Sequence, residues 1–408
     1  MNTMDRSRFH VGTYVLQPYA RTEKHICELA ECGINFVVGV PSDRPTLDLF
    51  TKYGVGAVVS GVLPGWWGGD GHNAGSMAKT NPLNRYVDAA ATFEDHPAVW
   101  GIDTGDEPSA LDFAHYGKVI DHVNYHFPRQ FAYLNLYPNY ASVSRNNAEE
   151  TINQLGTQTY DEYIEKYCEN IGTDYICYDF YMYAASVAGA YENLCTVSDA
   201  CLRTGRSMWI VLQVNSLHEK EWISTNQLRF QAYSAMAFGA EVIIWACYTA
   251  GWWHNQVLDD KGEKTEQYNK LQEVNAELHT LGETYMKYRC VATHFIGFQD
   301  AQELQNLHQQ PLASLSTGVF TDVCAENGEN LIAGQMVSRT GDNSYALMIC
   351  GADDPLDRRQ AEYTVVFRAD NRTVFAMSGT GMRPLTRRAD GYYSFSLKSS
   401  EGVLLVAR

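Results

Sequence analysis

Charged residues make up only 19% of this 408-residue sequence. Long apolar runs are missing altogether. No stretch of about 18 consecutive apolar residues occurs, so no membrane-spanning helix is expected. Residues 1–14 hold no apolar stretch of the roughly 7–15 residues that a secretory signal requires. The ten cysteines include no C-x-x-C pair. They read as reduced, mostly buried thiols, and the expected compartment is the cytoplasm. There is no H-E-x-x-H and no His/Cys cluster, so no metal site is expected. Also absent are a G-x-S-x-G elbow, a Walker loop and a glycine-rich dinucleotide turn, and no cofactor is expected. Basic residues are in deficit, 31 against 48 acidic ones, a net charge of −17. Nucleic acid and anionic membranes are therefore poor partners, since every phosphate contact would oppose the global field. Aromatics, by contrast, are plentiful: 26 Tyr, 16 Phe and 8 Trp. A core needs Leu, Ile and Val more than Tyr, so the surplus points to a lined surface or cleft.

Up to about residue 290, apolar runs alternate with amphipathic segments. The runs cover 9–16, 34–40, 55–62, 98–103, 130–136, 174–181, 207–214 and 241–248. Each is nearly continuous, as a strand buried on both faces requires. Between them, 22–32, 46–53, 82–94, 110–124, 160–171, 190–204, 225–238 and 264–287 carry apolar residues at helical spacing. Gly33, Gly54, Gly172, Gly205 and Gly239 each follow a predicted helix, where a left-handed cap fits. Eight βα units in about 280 residues give a (β/α)8 TIM barrel, class α/β. A doubly wound open sheet is the alternative, but its first turn would be glycine-rich, and VLQPYART at 15–22 is not. Further on, short strands are expected at 319–324, 330–338, 345–350, 363–367, 373–377, 392–397 and 402–407, separated by turn residues. They predict a C-terminal antiparallel β-sandwich. The expected division is a barrel at 1–290, a linker at 291–318 and a sandwich at 319–408.

Barrel chemistry sits at the C-terminal ends of strands. Those ends supply Asp103, Asp106 and Glu107 on strand 4, Asn135 and Tyr137 on strand 5, and Asp179 and Tyr181 on strand 6. Strand 7 gives Gln213, and strand 8 gives Trp245 and Tyr248. Loops add Trp66, Trp67 and His72 after strand 3, and Trp252, Trp253 and His254 after strand 8. Sugars suit this combination: ring faces stack on Trp and Tyr, hydroxyls pair with Asn, Gln and Asp, and cleavage needs two carboxyl groups. Asp179 lies in an otherwise apolar strand, where an unpartnered carboxylate is costly to bury. An isomerase or lyase on a sugar acid would need a metal or a strand-end Lys, and no strand ends in Lys.

The segment HPAVWG at 96–101, running into Asp106-Glu107-Pro108, resembles strand 4 of clan-A glycoside hydrolases, especially relatives of the family 42 β-galactosidases. Further similar stretches are Asn135-Leu136-Tyr137-Pro138, Tyr160-Asp161-Glu162-Tyr163, 174–181, 228–233 and the closing Glu401-Gly402-Val403-Leu404-Leu405. The resemblance implies that Glu107 is the general acid/base. It departs from the clan in two places: Asp106 replaces the usual Asn, and Gln213 stands at the strand-7 end where the clan has its nucleophilic Glu. Asp179 is the expected replacement, as base or nucleophile, with Asp106 next. The expected activity is a glycosidase on a neutral oligosaccharide or glycoside, its sugar held by the aromatic and amide residues named above. The alternative is a sugar-binding barrel that has lost its nucleophile.

Overall fold

The computed structural model describes residues 3–142, 153–249, 253–298, 304, 307, 309–359 and 361–408. Eight parallel strands form the first sheet: β1 (His10–Tyr14), β2 (Phe36–Pro41), β3 (Gly56–Ser60), β4 (Val99–Asp106), β5 (Phe131–Asn135), β6 (Tyr175–Phe180), β7 (Ser207–Gln213) and β8 (Ala240–Ala246). Their order is β5-β4-β3-β2-β1-β8-β7-β6. β5 and β6 meet through a bridge between Leu136 and Tyr178, where the Leu136 N–H donates to the Cys177 carbonyl at 2.9 Å. That contact brings the sheet round into a nearly closed barrel.

Alternation along each strand sorts side chains between two cores. Phe36, Val38, Val58, Trp100, Tyr133, Trp209, Val211, Val242 and Ile244 fill the barrel interior. Their neighbours, such as Val37, Val59, Ile210 and Ile243, pack outward on the helices. Both faces are apolar, which is why the strands read as unbroken runs. The helices start at side-chain caps: Thr22, Asp43, Thr159 and Ser186 each accept a backbone N–H of the first turn, and Ser224 with Gln227 forms a capping box. Gly33, Gly54, Gly205 and Gly239 have positive φ, as caps require; Gly172 does not. A cap at that point is supplied instead by Ile171 in an extended conformation.

The second region is antiparallel. Its strands are β9 (Tyr288–Ile296), β10 (Phe320–Ala325), β11 (Leu331–Ser338), β12 (Tyr345–Gly351), β13 (Glu362–Ala369), β14 (Val374–Ser378), β15 (Gly381–Pro384), β16 (Tyr393–Lys398) and β17 (Gly402–Ala407). Six form one sheet, β15-β14-β17-β12-β11-β9, and three form the other, β10-β13-β16. Leu331, Leu347, Ile349, Val365, Phe367, Phe395 and Leu405 pack between the sheets. β9 occupies residues where a linker was expected. It follows the helix Glu266–Tyr285 after only two residues and runs across the expected barrel–linker boundary.

The six-stranded sheet is buried on its other face too. Ile332, Met336, Ala346, Met348, Leu404 and Val406 join the barrel's outer core. They cover the helix Thr225–Ala237, which is buried on nearly every side. Gly334 marks the closest approach: a Cβ there would lie 2.1 Å from the Ala237 carbonyl oxygen. Backbone cannot yield as a side-chain end can. Gly334→Val is expected to cost about 1–3 kcal/mol of stability, read as an earlier thermal melt. All ten cysteines are unpaired. Among the described residues no helix is long and apolar enough to cross a membrane.

Candidate active site

Asp106 ends β4 directly opposite Asn135, which ends β5. Glu107 follows with φ of +46°, in the left-handed region. A non-glycine residue is held there at a cost of about 1–3 kcal/mol, and such outliers gather at functional sites. Two contacts hold the turn. The Glu107 N–H donates to the Asn135 carbonyl at 2.9 Å, and the Pro108 carbonyl accepts the Tyr163 hydroxyl at 2.8 Å.

Asn135 is the hub. Its side chain is buried, and its Nδ2 donates to Asp106 Oδ1 at 3.0 Å and to Asp179 Oδ1 at 2.8 Å. One amide group thus serves two carboxyls on different strands. The Cys177 thiol, on β6 beneath, donates to Asn135 Oδ1 at 3.4 Å and fixes which way the amide faces. Asp179 is buried and also hydrogen-bonds to Glu107.

Three carboxyls this close cannot all be ionised. Burial lifts Glu107 furthest; Asp179 and Asp106 add repulsion, and the hydrogen bond shared with Asp179 raises it further. Burial lifts Asp179 as well, with Asp106 adding to it, while the bonds from Asn135 and Glu107 oppose the rise. Asp106 is crowded by protein yet open to solvent at the mouth. Desolvation is the first cause of its rise, and the hydrogen bond from Asn135 opposes it. Glu107, raised by burial and by both neighbours, is the member on which a proton is best held. Asn135→Ala would leave Asp106 and Asp179 without their shared donor. Both should then titrate higher, by about one pH unit, in carbon-13 NMR of the carboxyls.

Aromatic rings surround the group. Burial and then the Glu107 charge raise the Tyr137 phenol, and burial and then Asp179 raise those of Tyr181 and Tyr140. Trp253 stands edge-on to Tyr181, with centroids 4.5 Å apart. Asp70, at the loop after β3, also acts on both Glu107 and Tyr137.

No protein-family model matches the chain, and no curated protein sequence matches it. Solved structures do. A cycloisomaltooligosaccharide glucanotransferase from Paenibacillus sp., complexed with cycloisomaltoheptaose, aligns over 99% of this chain and 85% of its own, at 8% identity and TM-score 0.58. A GH2 β-galacturonidase from Eisenbergiella tayi aligns over 66% of this chain and 51% of its own, at 10% identity and TM-score 0.46. An intracellular xylanase from Thermoanaerobacterium saccharolyticum aligns over 65% and 96%, at 10% identity and TM-score 0.41. At 8% identity, what the glucanotransferase shares with this chain is the fold.

Of the residues expected at the site, the structure gathers Asp106, Glu107, Asn135, Tyr137, Asp179, Tyr181 and Trp253. Others go elsewhere. Trp245 is buried on the outer face of β8, where its Nε1 donates to Asn275 Oδ1 at 2.9 Å. Tyr248 is buried beside Cys32 and Tyr268 under the outer helices. Gln213 is buried, its Oε1 accepting the Tyr183 N–H and its Nε2 donating to the Asn215 carbonyl, both at 2.9 Å. Trp66 donates to Asp112 Oδ2 at 3.3 Å, a carboxylate that also takes the N–H groups of Gly75 and Met77, so it ties down its loop. Trp67 is 69% exposed. His72 and His254 are exposed, and His254 pairs its backbone with Ser216. Trp252 lies outside the described residues. Asp103 is satisfied internally by the Ser60 hydroxyl at 2.6 Å and the Gly105 N–H at 3.1 Å. Asp70 and Tyr140 were not expected. Their only sequence signals are a carboxylate in the Trp-Trp-Gly-Gly loop and an aromatic residue two positions after Pro138.

Proposed function

We propose that the chain is a glycoside hydrolase with Glu107 as general acid and Asp179 as the second carboxyl. The observation that carries this reading is the carboxyl cluster itself: Asn135 ties Asp106 to Asp179 at the C-terminal end of the barrel, and Glu107, bonded through its N–H to the same residue, is raised by burial and by both neighbours. Such an acid can protonate a glycosidic oxygen as the bond to the anomeric carbon breaks. Asn135 holds Asp179, and Glu107 is near enough for the two carboxyls to act on each other directly. A glycosidic oxygen entering between the two groups would part them. Asp179 then stabilises or attacks the anomeric carbon, or activates a water. The acidic surroundings favour a neutral sugar, and Tyr137, Tyr140, Tyr181 and Trp253 offer faces for its rings.

The strand-4 segment at 96–108 supports a clan-A relationship of the family 42 kind. The glucanotransferase of like fold was solved with a cyclic glucan bound, a fold-level analogy that fits a carbohydrate substrate. Ten unpaired thiols suit a reducing compartment such as the cytoplasm.

One observation favours a second reading, a sugar-binding barrel without turnover. Gln213 stands where the clan keeps its nucleophile, and its side chain is already engaged by Tyr183 and Asn215. A screen of the purified protein on aryl glycosides separates the two. Turnover lost in both Glu107→Gln and Asp179→Asn supports the hydrolase. Calorimetric binding of sugar with no phenol release from the wild-type protein supports the binding module.

A further inference from the structure

A cavity of about 330 Å³ opens at the opposite end of the barrel from the carboxyls, among the N-terminal ends of β1, β7 and β8 and the adjoining edge of the β-domain. Its lining is the reverse of the chain's net charge. Arg6, Arg8, Arg206, Arg289 and Arg339 border it, against two carboxylates, Asp174 and Glu241. Both carboxylates are already matched. Arg6 pairs with Asp174 at 3.2 Å and stacks 4.5 Å from the centre of the Trp209 ring, and Arg339 pairs with Glu241. Beyond these pairs the nearest carboxylate is Asp5, which feels Arg8 but forms no salt bridge with it. Arg8 and Arg289 form no ion pair among the described residues and are exposed. Arg206 donates Nη2 to the carbonyls of Cys168 and Ile171, while its Nη1 is buried with no hydrogen-bond partner.

His10 also lines the cavity, and it is only 5% exposed. Its Nε2 lies 2.8 Å from the Asp5 carbonyl, which can only accept, so Nε2 carries the proton. Nδ1 is then a bare acceptor, and it is buried with no partner. Burial keeps this ring neutral, its pKa lowered to about 4. The cavity therefore offers unmatched guanidinium donors for an anion, and one unsatisfied acceptor lies just beneath its lining. The volume falls within the range of small-ligand sites, and Arg suits phosphate oxygens by geometry as well as by charge.

We propose that this cavity binds a small hydroxylated phosphate monoester, of the sugar phosphate class, at a site separate from the carboxyls at the barrel mouth. Isothermal titration of the full chain at constant ionic strength tests it, with glucose 6-phosphate and inorganic phosphate as probes. The wild-type protein should bind glucose 6-phosphate more tightly than inorganic phosphate, because only the ester brings hydroxyls toward His10. Arg8→Ala/Arg289→Ala should weaken that binding by about tenfold or more, the scale of lost charge-assisted bonds. Both side chains are exposed and unpaired, so melting in phosphate-free buffer should be unchanged; if the double variant melts early, the two single variants carry the test. Glu107→Gln should bind as wild type does, which separates this site from the mouth whatever the mouth catalyses. The proposal is overturned if neither probe binds, if the arginine variants bind as well as wild type, if inorganic phosphate binds as tightly as the ester, or if Glu107→Gln is what abolishes binding.

Discussion

Glu107→Gln is expected to lower kcat/KM on an aryl glycoside with a poor leaving group by about 10²–10⁴-fold, the usual worth of a positioned general acid. The substitution is nearly isosteric. Its amide can still donate to Asp179 as the protonated carboxyl does, so the loss would report the missing transferable proton and not a collapsed site. An activated phenol leaves without protonation, and turnover of such a substrate should fall much less. The pH profile adds a second readout. Glu107 must hold its proton, and burial with two neighbouring carboxyls lifts it far above an ordinary glutamic acid. The alkaline limb of the wild-type profile should therefore lie well above the ordinary carboxyl range, and it should vanish in Glu107→Gln. Asp179 must be charged to act, and it is also lifted, first by burial. The acid limb should accordingly fall above the pH at which a free aspartate titrates. Full activity of Glu107→Gln on the poor leaving group would remove Glu107 from the role of acid.

The eight barrel strands are legible in sequence because a strand buried on both faces leaves an unbroken apolar run, and glycines mark several of the helix ends before them. The same property hides which face is which. In β8, Val242, Ile244 and Ala246 face the interior, so Trp245 between them faces the helices. A run of apolar residues carries no parity signal, and Trp245 reads as a strand-end aromatic like any other. Gln213 is lost to the site for a different reason. It is polar and at a strand end, but Tyr183 and Asn215 claim both ends of its amide, and those partners come from loops that periodicity does not describe. Polar residues in the middle of apolar runs fare better. Asp179 stands out because burying it demands a partner, and Asn135 is that partner. Tyr140 and Asp70 reach the carboxyls only because loops bring them back, and no local pattern marks that path.

The carboxyl cluster should also govern stability, with a sign opposite to that of a salt bridge. In the folded chain Glu107 is lifted above the 4.5 of an unperturbed glutamic acid, by burial first and by Asp179 next. Between 4.5 and its raised folded-state pKa the native state holds a proton that the unfolded chain has released. Stability therefore falls as pH rises through that window, and the contribution is neutral below it, where both states are protonated. A glutamine cannot ionise in either state and feels no such decline. Glu107→Gln should match wild type near pH 4 and become the more stable protein as pH rises toward 8, by about 1–3 kcal/mol and a few degrees of melting temperature. Denaturation of both proteins across that pH range measures the difference directly. A wild-type protein that gains on the variant as pH rises would mean that Glu107 is held as a carboxylate by a cation, and the proton assigned to it would be wrong. The expected pairing, lost turnover with gained stability in one isosteric change, is what separates a site kept for chemistry from a merely structural polar cluster, because removing a satisfied structural carboxyl destabilises the fold.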